Sequence, residues 1–163
     1  MKQVISYITF CTFSILLYSC NNSNVEVLMK DNYDIADAKW FVKDAPSFSF
    51  EVTDSTKTYD VFYNVRNNRT YPYYNLYLTH YLTDKKGKVI HQKLDELVLF
   101  DPTTGKQLGD GLGDVYDHKI LGFKNFKFPH NGTYKIQIRQ YMRQDPIPDI
   151  ISIGVSIESK KVQ

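Results

Sequence analysis

The chain has 163 residues, a formal charge of +2, 13 tyrosines, 10 phenylalanines and two cysteines. So near-neutral a balance argues against a nucleic-acid binder and against a polybasic membrane-surface binder, because both need a concentrated positive field. Aromatics favour strands, and alanine is confined to Ala36, Ala38 and Ala45, which counts against helices.

The chain opens with Lys2 and an apolar run from Val4 to Tyr18, closed by Leu17-Tyr18-Ser19-Cys20. This is the layout of a secretory signal, shorter than the ~20 apolar residues that span a bilayer. A small residue followed by cysteine resembles the bacterial lipobox. That predicts a signal peptide over 1–19, acyl (palmitate) chains on Cys20, and the lipid bilayer as a partner through that residue. The alternative is an ordinary secretory signal with an incidental cysteine. Cleavage would remove Cys11 and Lys2, the only charge among the first 19 residues, so that +2 becomes +1. The sulfur of Cys20 would carry lipid, leaving no disulfide, zinc site or thiol nucleophile. What remains suits one domain stabilised by its own core.

Residues 20–39 are polar and weakly periodic, and are read as a lipidated N-terminus and tether whose later part could pair as an edge strand. From 40 to 163 a single domain is expected. Phe48, Phe50 and Val52 alternate with polar residues, as do Tyr59, Val61, Tyr63 and Val65. Leu76, Leu78 and Leu82 share a face with His80; Val89-Ile90 and Leu97 to Phe100 are shorter candidates. Tyr134, Ile136, Ile138 and Met142 form one clear alternating run, and Ile151, Ile153, Val155 and Ile157 another. Asp84-Lys85-Lys86-Gly87, Asp101-Pro102 and Asn131-Gly132 are turn signals, while Pro146 and Pro148 break the chain before the last strand. About eight short strands without a helical pattern predict an all-β, antiparallel two-sheet β-sandwich. A jelly-roll-like strand order is among the arrangements this allows.

His80, His91, His118 and His130 show no metal-ligand spacing. Adjacent Asp95 and Glu96 would point to opposite faces of a strand, so they could not bracket one substrate atom. The stretch from Gly109 through Asp110, Gly111 and Gly113 to Asp114 lacks the ending of a phosphate-binding loop and does not match a calcium loop, although Asp110, Asp114 and Asp117 are hard-oxygen donors. It reads as a structural glycine loop or a partner contact. Between two strands, Arg66, Asn67, Tyr71, Tyr73 and Asn75 combine guanidinium, amide and aromatic groups, the mixture of a binding surface. A rigid connection set by Pro72 explains the same residues.

Together these residues resemble the gliding-motility lipoprotein GldH family of the Bacteroidetes. The carriers are the lipobox at Cys20, Trp40, Arg66-Asn67, Tyr71-Pro72-Tyr73, Asn75-Leu76, the glycines 109, 111 and 113 with Asp114, Gly132-Thr133-Tyr134, Met142-Arg143, and Ile153-Gly154-Val155 to Glu158. The family's glycine loop is often preceded by a tryptophan, where this chain has Gln107 and Leu108. The resemblance implies an outer-membrane-associated lipoprotein needed for surface gliding and tied to type IX secretion. It carries no catalytic residues, cofactor or metal. Partners are then other envelope lipoproteins or gliding and secretion-machine proteins. Surface export in Bacteroidetes commonly uses acidic residues after the lipidated cysteine; none cluster after Cys20, which by analogy predicts a periplasmic face. The expectation is a non-enzymatic component that contacts partners through Arg66, Asn67, Tyr71, Tyr73 and Asn75, with the Gly109–Asp114 loop as a second surface. An envelope glycan-binding module is the alternative, and a hydrolase using carboxylates such as Asp95, Glu96, Asp110 and Asp114 a third reading.

Overall fold

The computed structural model describes residues 25–160; Cys20, with the expected signal and lipidation site, lies outside the described residues. The strands in chain order are β1 (Val25–Asp34), β2 (Lys39–Trp40), β3 (Ser47–Val52), β4 (Tyr59–Asn68), β5 (Asn75–Asp84), β6 (Val89–Val98), β7 (Asp110–Leu112), β8 (Val115–Phe126), β9 (Gly132–Gln140), β10 (Ile147–Pro148) and β11 (Ile150–Lys160). One 3-10 turn (Ala36–Ala38) is the sole helical element among the described residues.

Two antiparallel sheets form, ordered β1-β11-β4-β8-β7 and β3-β9-β5-β6, with a two-stranded ribbon of β2 and β10. The pairings nest: β5 with β6, β4 with β8, β3 with β9, and β1 with β11 outermost. A long hairpin rolled over on itself gives this order, and the ladders β11–β4 and β5–β9 complete the sheets. The architecture is therefore a two-sheet sandwich with jelly-roll connectivity. Nesting sorts the connections to two ends. β1 begins and β11 stops at the near end, together with the turns 53–58, 85–88 and 127–131. The connections 35–46, 69–74, 99–114 and 141–149 gather at the far end, about 33 Å away for a ten-residue strand.

β1 occupies residues 25–34 within the stretch read as tether, so the folded body starts before Trp40. Its residues are exposed apart from half-buried Leu28 and Met29, and backbone pairing to β11 holds it, which is why no alternation marks it in sequence. Gly154 on β11 permits that pairing. A Cβ there would stand 2.3 Å from the Asp31 carbonyl oxygen and 2.0 Å from Asn32 Oδ1. The two short candidates near 89 and 97 are one strand, β6, extended by inward-facing polar residues that interrupt its apolar pattern. β8 carries no alternating signature because its register against β4 shifts twice. β9 stops at Gln140, so Met142 and Arg143 lie beyond it.

The inner faces bury Phe48, Phe50, Val61, Leu76, Leu78, Ile136, Ile138, Ile153 and Val155. Near-end aromatics pack edge-on: Phe128 stands 5.4 Å from Tyr59 and 5.0 Å from Phe126, ring centre to ring centre. At the far end the β2–β10 ribbon pairs Trp40 with Ile147, and the fully buried Trp40 indole donates to the Asp44 carbonyl at 2.7 Å.

One polar chain crosses this core. The Tyr63 hydroxyl on β4 donates to Asp95 Oδ2 on β6 at 2.6 Å. Its single proton is thereby committed, so His80 Nδ1 on β5 donates to the phenol oxygen at 2.5 Å. His80 Nε2 must then accept, and His91 Nδ1 on β6 donates to it at 2.7 Å. Lys93 completes the set with a 2.5 Å bond to Asp95 Oδ1. Tyr63 and His80 are fully buried, and burial pushes the phenol far above its ordinary range. Burial, aided by neighbouring His91 and opposed by Asp95, lowers His80 to about 4. The folded state thus binds this proton less readily than the unfolded chain. Its contribution is complete above the ordinary histidine value of 6.5 and is lost as pH falls from there through about 4. The unfolding free energy from urea titrations should drop between neutral pH and pH ~4.5, by up to ~3 kcal/mol. His80→Gln should be less stable at neutral pH and show a shallower slope, with the remainder coming from His91 and His118, which burial also lowers; an unchanged slope would place the pH dependence outside His80.

Candidate functional site

The far end unites the two stretches singled out from the sequence. Arg66, near the end of β4, lies opposite Asp117 on β8 and grips it with two bonds, Nε to Oδ1 at 2.7 Å and Nη2 to Oδ2 at 3.2 Å. Both side chains are about half exposed, so the pair adds little stability but holds a guanidinium on the surface. Asp110 on β7 faces the other side of Asp117 in register. A cleft of about 270 Å³ opens among Arg66, Asp110, Asp117, His118 and Lys119.

Asn67 does not belong to that surface. It is fully buried, its Nδ2 donating to the Asn68 carbonyl at 2.8 Å. Its Oδ1 therefore accepts from His118 Nε2 at 2.9 Å, which fixes the histidine tautomer; burial lowers His118 below the usual imidazole value. Against this ring lies Gly109. A Cβ there would stand 2.6 Å from the Asp117 carbonyl oxygen and 2.8 Å from the His118 ring, so residue 109 must lack a side chain for β7 to close on β8. Gly111 lies beside the Tyr116 ring, and Gly113, at φ +65°, turns the chain into Asp114. The Asp114 carbonyl then accepts from Arg69 N–H at 2.7 Å, joining the glycine loop to the β4–β5 connection.

Tyr71 and Asn75 are also inside. Tyr71 donates to the Asn75 carbonyl at 2.9 Å and packs on Phe100, and the Asn75 amide donates to Glu96 Oε1 at 2.6 Å. Of that group Arg66 and Tyr73 reach solvent, while Asn67, Tyr71 and Asn75 are buried and support the surface from beneath. Tyr73 stands edge-on to Tyr71 and donates to Gln144 Oε1.

Two hollows flank these residues. One, of about 550 Å³, is bounded by Arg69, Phe100, Gln107, the motif glycines and Tyr116. Both amide atoms of Gln107 are buried here without a hydrogen-bond partner among the described residues. The other, of about 740 Å³, lies between Tyr73, Tyr74, Tyr77, Leu94, Tyr141 and Arg143; Tyr74 and Tyr141 are 47% and 64% exposed. The sequence missed this groove, because Leu94 and Tyr141 are distant in the chain from Tyr73, Tyr74 and Tyr77.

Asp95 is buried against Tyr63 while Glu96 faces outward to Asn75, and Asp117 is occupied by Arg66. Among the described residues no group of three or more His, Cys, Asp or Glu side chains is placed to hold a metal ion.

A family model described as "GldH lipoprotein" matches residues 27–157. A relative described as "Gliding motility lipoprotein GldH homolog", from Christiangramia forsetii, is 36% identical over 167 aligned positions, covering 97% of this chain and 98% of its own. A second, "Gliding motility lipoprotein GldH" of Flavobacterium johnsoniae, is 31% identical over 156 positions, covering 90% and 92%. Among solved structures, the VP2 subviral particle of infectious bursal disease virus is similar at TM-score 0.36 and 11% identity, covering 84% of this chain and 32% of that one. An arabinose-bound α-L-arabinofuranosidase is similar at TM-score 0.36 and 13% identity, covering 84% and 22%. Both likenesses are too slight to bear on function.

Gly109→Ala should destabilise the domain by ~1–3 kcal/mol, since backbone and a buried ring must both give way. The His118 imidazole NMR signals should shift with it. A variant with wild-type melting temperature and unmoved His118 signals would show that the glycine is dispensable for closing β7.

Proposed function

The chain belongs to the GldH lipoprotein family, and we propose from that premise that it is a non-enzymatic component of the gliding-motility and secretion-linked envelope machinery. In this reading acylated Cys20 holds it to the outer membrane, facing the periplasm, and the far end docks onto other envelope proteins. One observation carries the reading. The residues through which the sequence resembles the family come from distant parts of the chain, yet many gather at the far end. Arg66, Tyr73, Asp110 and Asp114 give that end charged and aromatic groups on a rigid base.

Affinity isolation of the tagged, acylated protein from gently solubilised envelopes should recover gliding or secretion-machine proteins. Arg66→Ala with Tyr73→Ala should cut that recovery several-fold while the domain loses no more than about 2 kcal/mol of stability, the sum of a surface ion pair and an edge-on aromatic contact. Undiminished recovery would remove this surface from the reading.

The tyrosine groove supports a second reading, an envelope glycan-binding module. Exposed aromatic faces can stack on sugar rings, and Arg143 and Gln144 can bond their hydroxyls. Titration with peptidoglycan fragments or envelope polysaccharide should then change tyrosine fluorescence saturably, and Tyr141→Ala should abolish the change. A flat response across such a panel would end the glycan reading.

A further inference from the structure

Overall charge near zero conceals its distribution. At the near end, the β5–β6 turn presents Lys85, Lys86 and Lys88, and the neighbouring end of β8 presents Lys124 and Lys127; all five are exposed. They are neighbours because His91, at the start of β6, packs 4.5 Å from Phe123 and 5.4 Å from Phe126 on β8, ring centre to ring centre. None of the five takes part in the ion pairs found among the described residues. Nearby acids are engaged locally. Asp84 Oδ1 accepts from the backbone of Lys86 and Lys88, Asp54 accepts from Thr56, Asp60 accepts from the Asn125 N–H, and Glu26 pairs with Lys57. The far-end connections lean slightly the other way, with Asp37, Asp44, Asp101, Asp110, Asp114, Asp145 and Asp149 against Lys39, Lys43, Arg69, Lys106 and Arg143.

β1 begins at the near end with Val25. Five residue steps separate Val25 from Cys20, a reach of at most ~18 Å. A bilayer holding Cys20 therefore lies close to the lysine-bearing turns. We propose that the near end is a docking face for anionic lipid headgroups, made by Lys85, Lys86, Lys88, Lys124 and Lys127. It sets the sandwich upright, with the far-end connections directed away from the membrane. This orientation rests on acylation of Cys20; the affinity of the basic face for anionic lipid does not.

The test uses the envelope-extracted protein on vesicles of neutral phosphatidylcholine, with or without anionic phosphatidylglycerol, read by amine-reactive labelling and mass spectrometry. Retention on neutral vesicles reports acylation by itself. On anionic vesicles at low salt the five near-end lysines should label roughly fivefold more slowly or less, while Lys39, Lys43 and Lys106 at the far end are unchanged. High salt should erase the difference, and so should the Lys85→Gln, Lys86→Gln, Lys88→Gln triple variant at Lys124 and Lys127. Equal labelling on both lipids, or protection spread equally to the far-end lysines, overturns the proposal. Were the protein not retained on neutral vesicles, salt-sensitive capture by anionic vesicles would still support the face, and its absence would refute it.

Discussion

Rolling one long antiparallel hairpin into two facing sheets imposes a nested order of pairing, from β5–β6 innermost to β1–β11 outermost, and the remaining arrangement follows from it. Nested pairs send alternate connections to opposite ends. The long, irregular connections thus share one end, while both ends of the described chain share the other. Residues as far apart in sequence as Asn68 and Asp149 become hydrogen-bonded neighbours. Regular ladders form the body, so the connections can vary in chemistry without disturbing it.

β6 is an edge strand, and its inward positions His91, Lys93 and Asp95 are polar. Inward-facing charge on an edge discourages pairing with another chain. Here each such group also has a partner: Asp95 receives Tyr63 and Lys93, while His91 meets His80. The phenol reaches across from the opposite sheet, so this one chain of bonds ties β4 to both β5 and β6. With Tyr63 and His80 sealed from solvent, the cluster acts as a pin between sheets.

How much was legible in the sequence depended on whether a strand's inner face was uniformly apolar. β9 and β11 alternate cleanly and were read as strands; β6 was split because its inner face turns polar where the pin is built. β8 places His118 and Ile120 inward and then loses step through its register shifts, which no periodicity reveals. β1 is held by backbone bonds with little burial, so its side chains had nothing to report. The far-end motifs stood out as unusual residues, yet composition could not separate contact groups from supports. Asn67 and Arg66 are adjacent and strand alternation sends them to opposite faces, one to a buried histidine and one to water. Net charge is silent for a related reason: a sum over residues carries no information about which end of a folded body holds them.

The outermost pairing has a mechanical consequence. β1 runs from the near end to the far end alongside β11, bonded along nearly its whole length. A tension entering at Val25 and resisted at the far-end connections pulls β1 lengthwise, parallel to its neighbour. Every rung of the ladder then bears load together, in shear, instead of parting one after another as in peeling. A body tethered at one end and gripped at the other is strongest along that line, and the edge strand that buries least is the one that carries the strain.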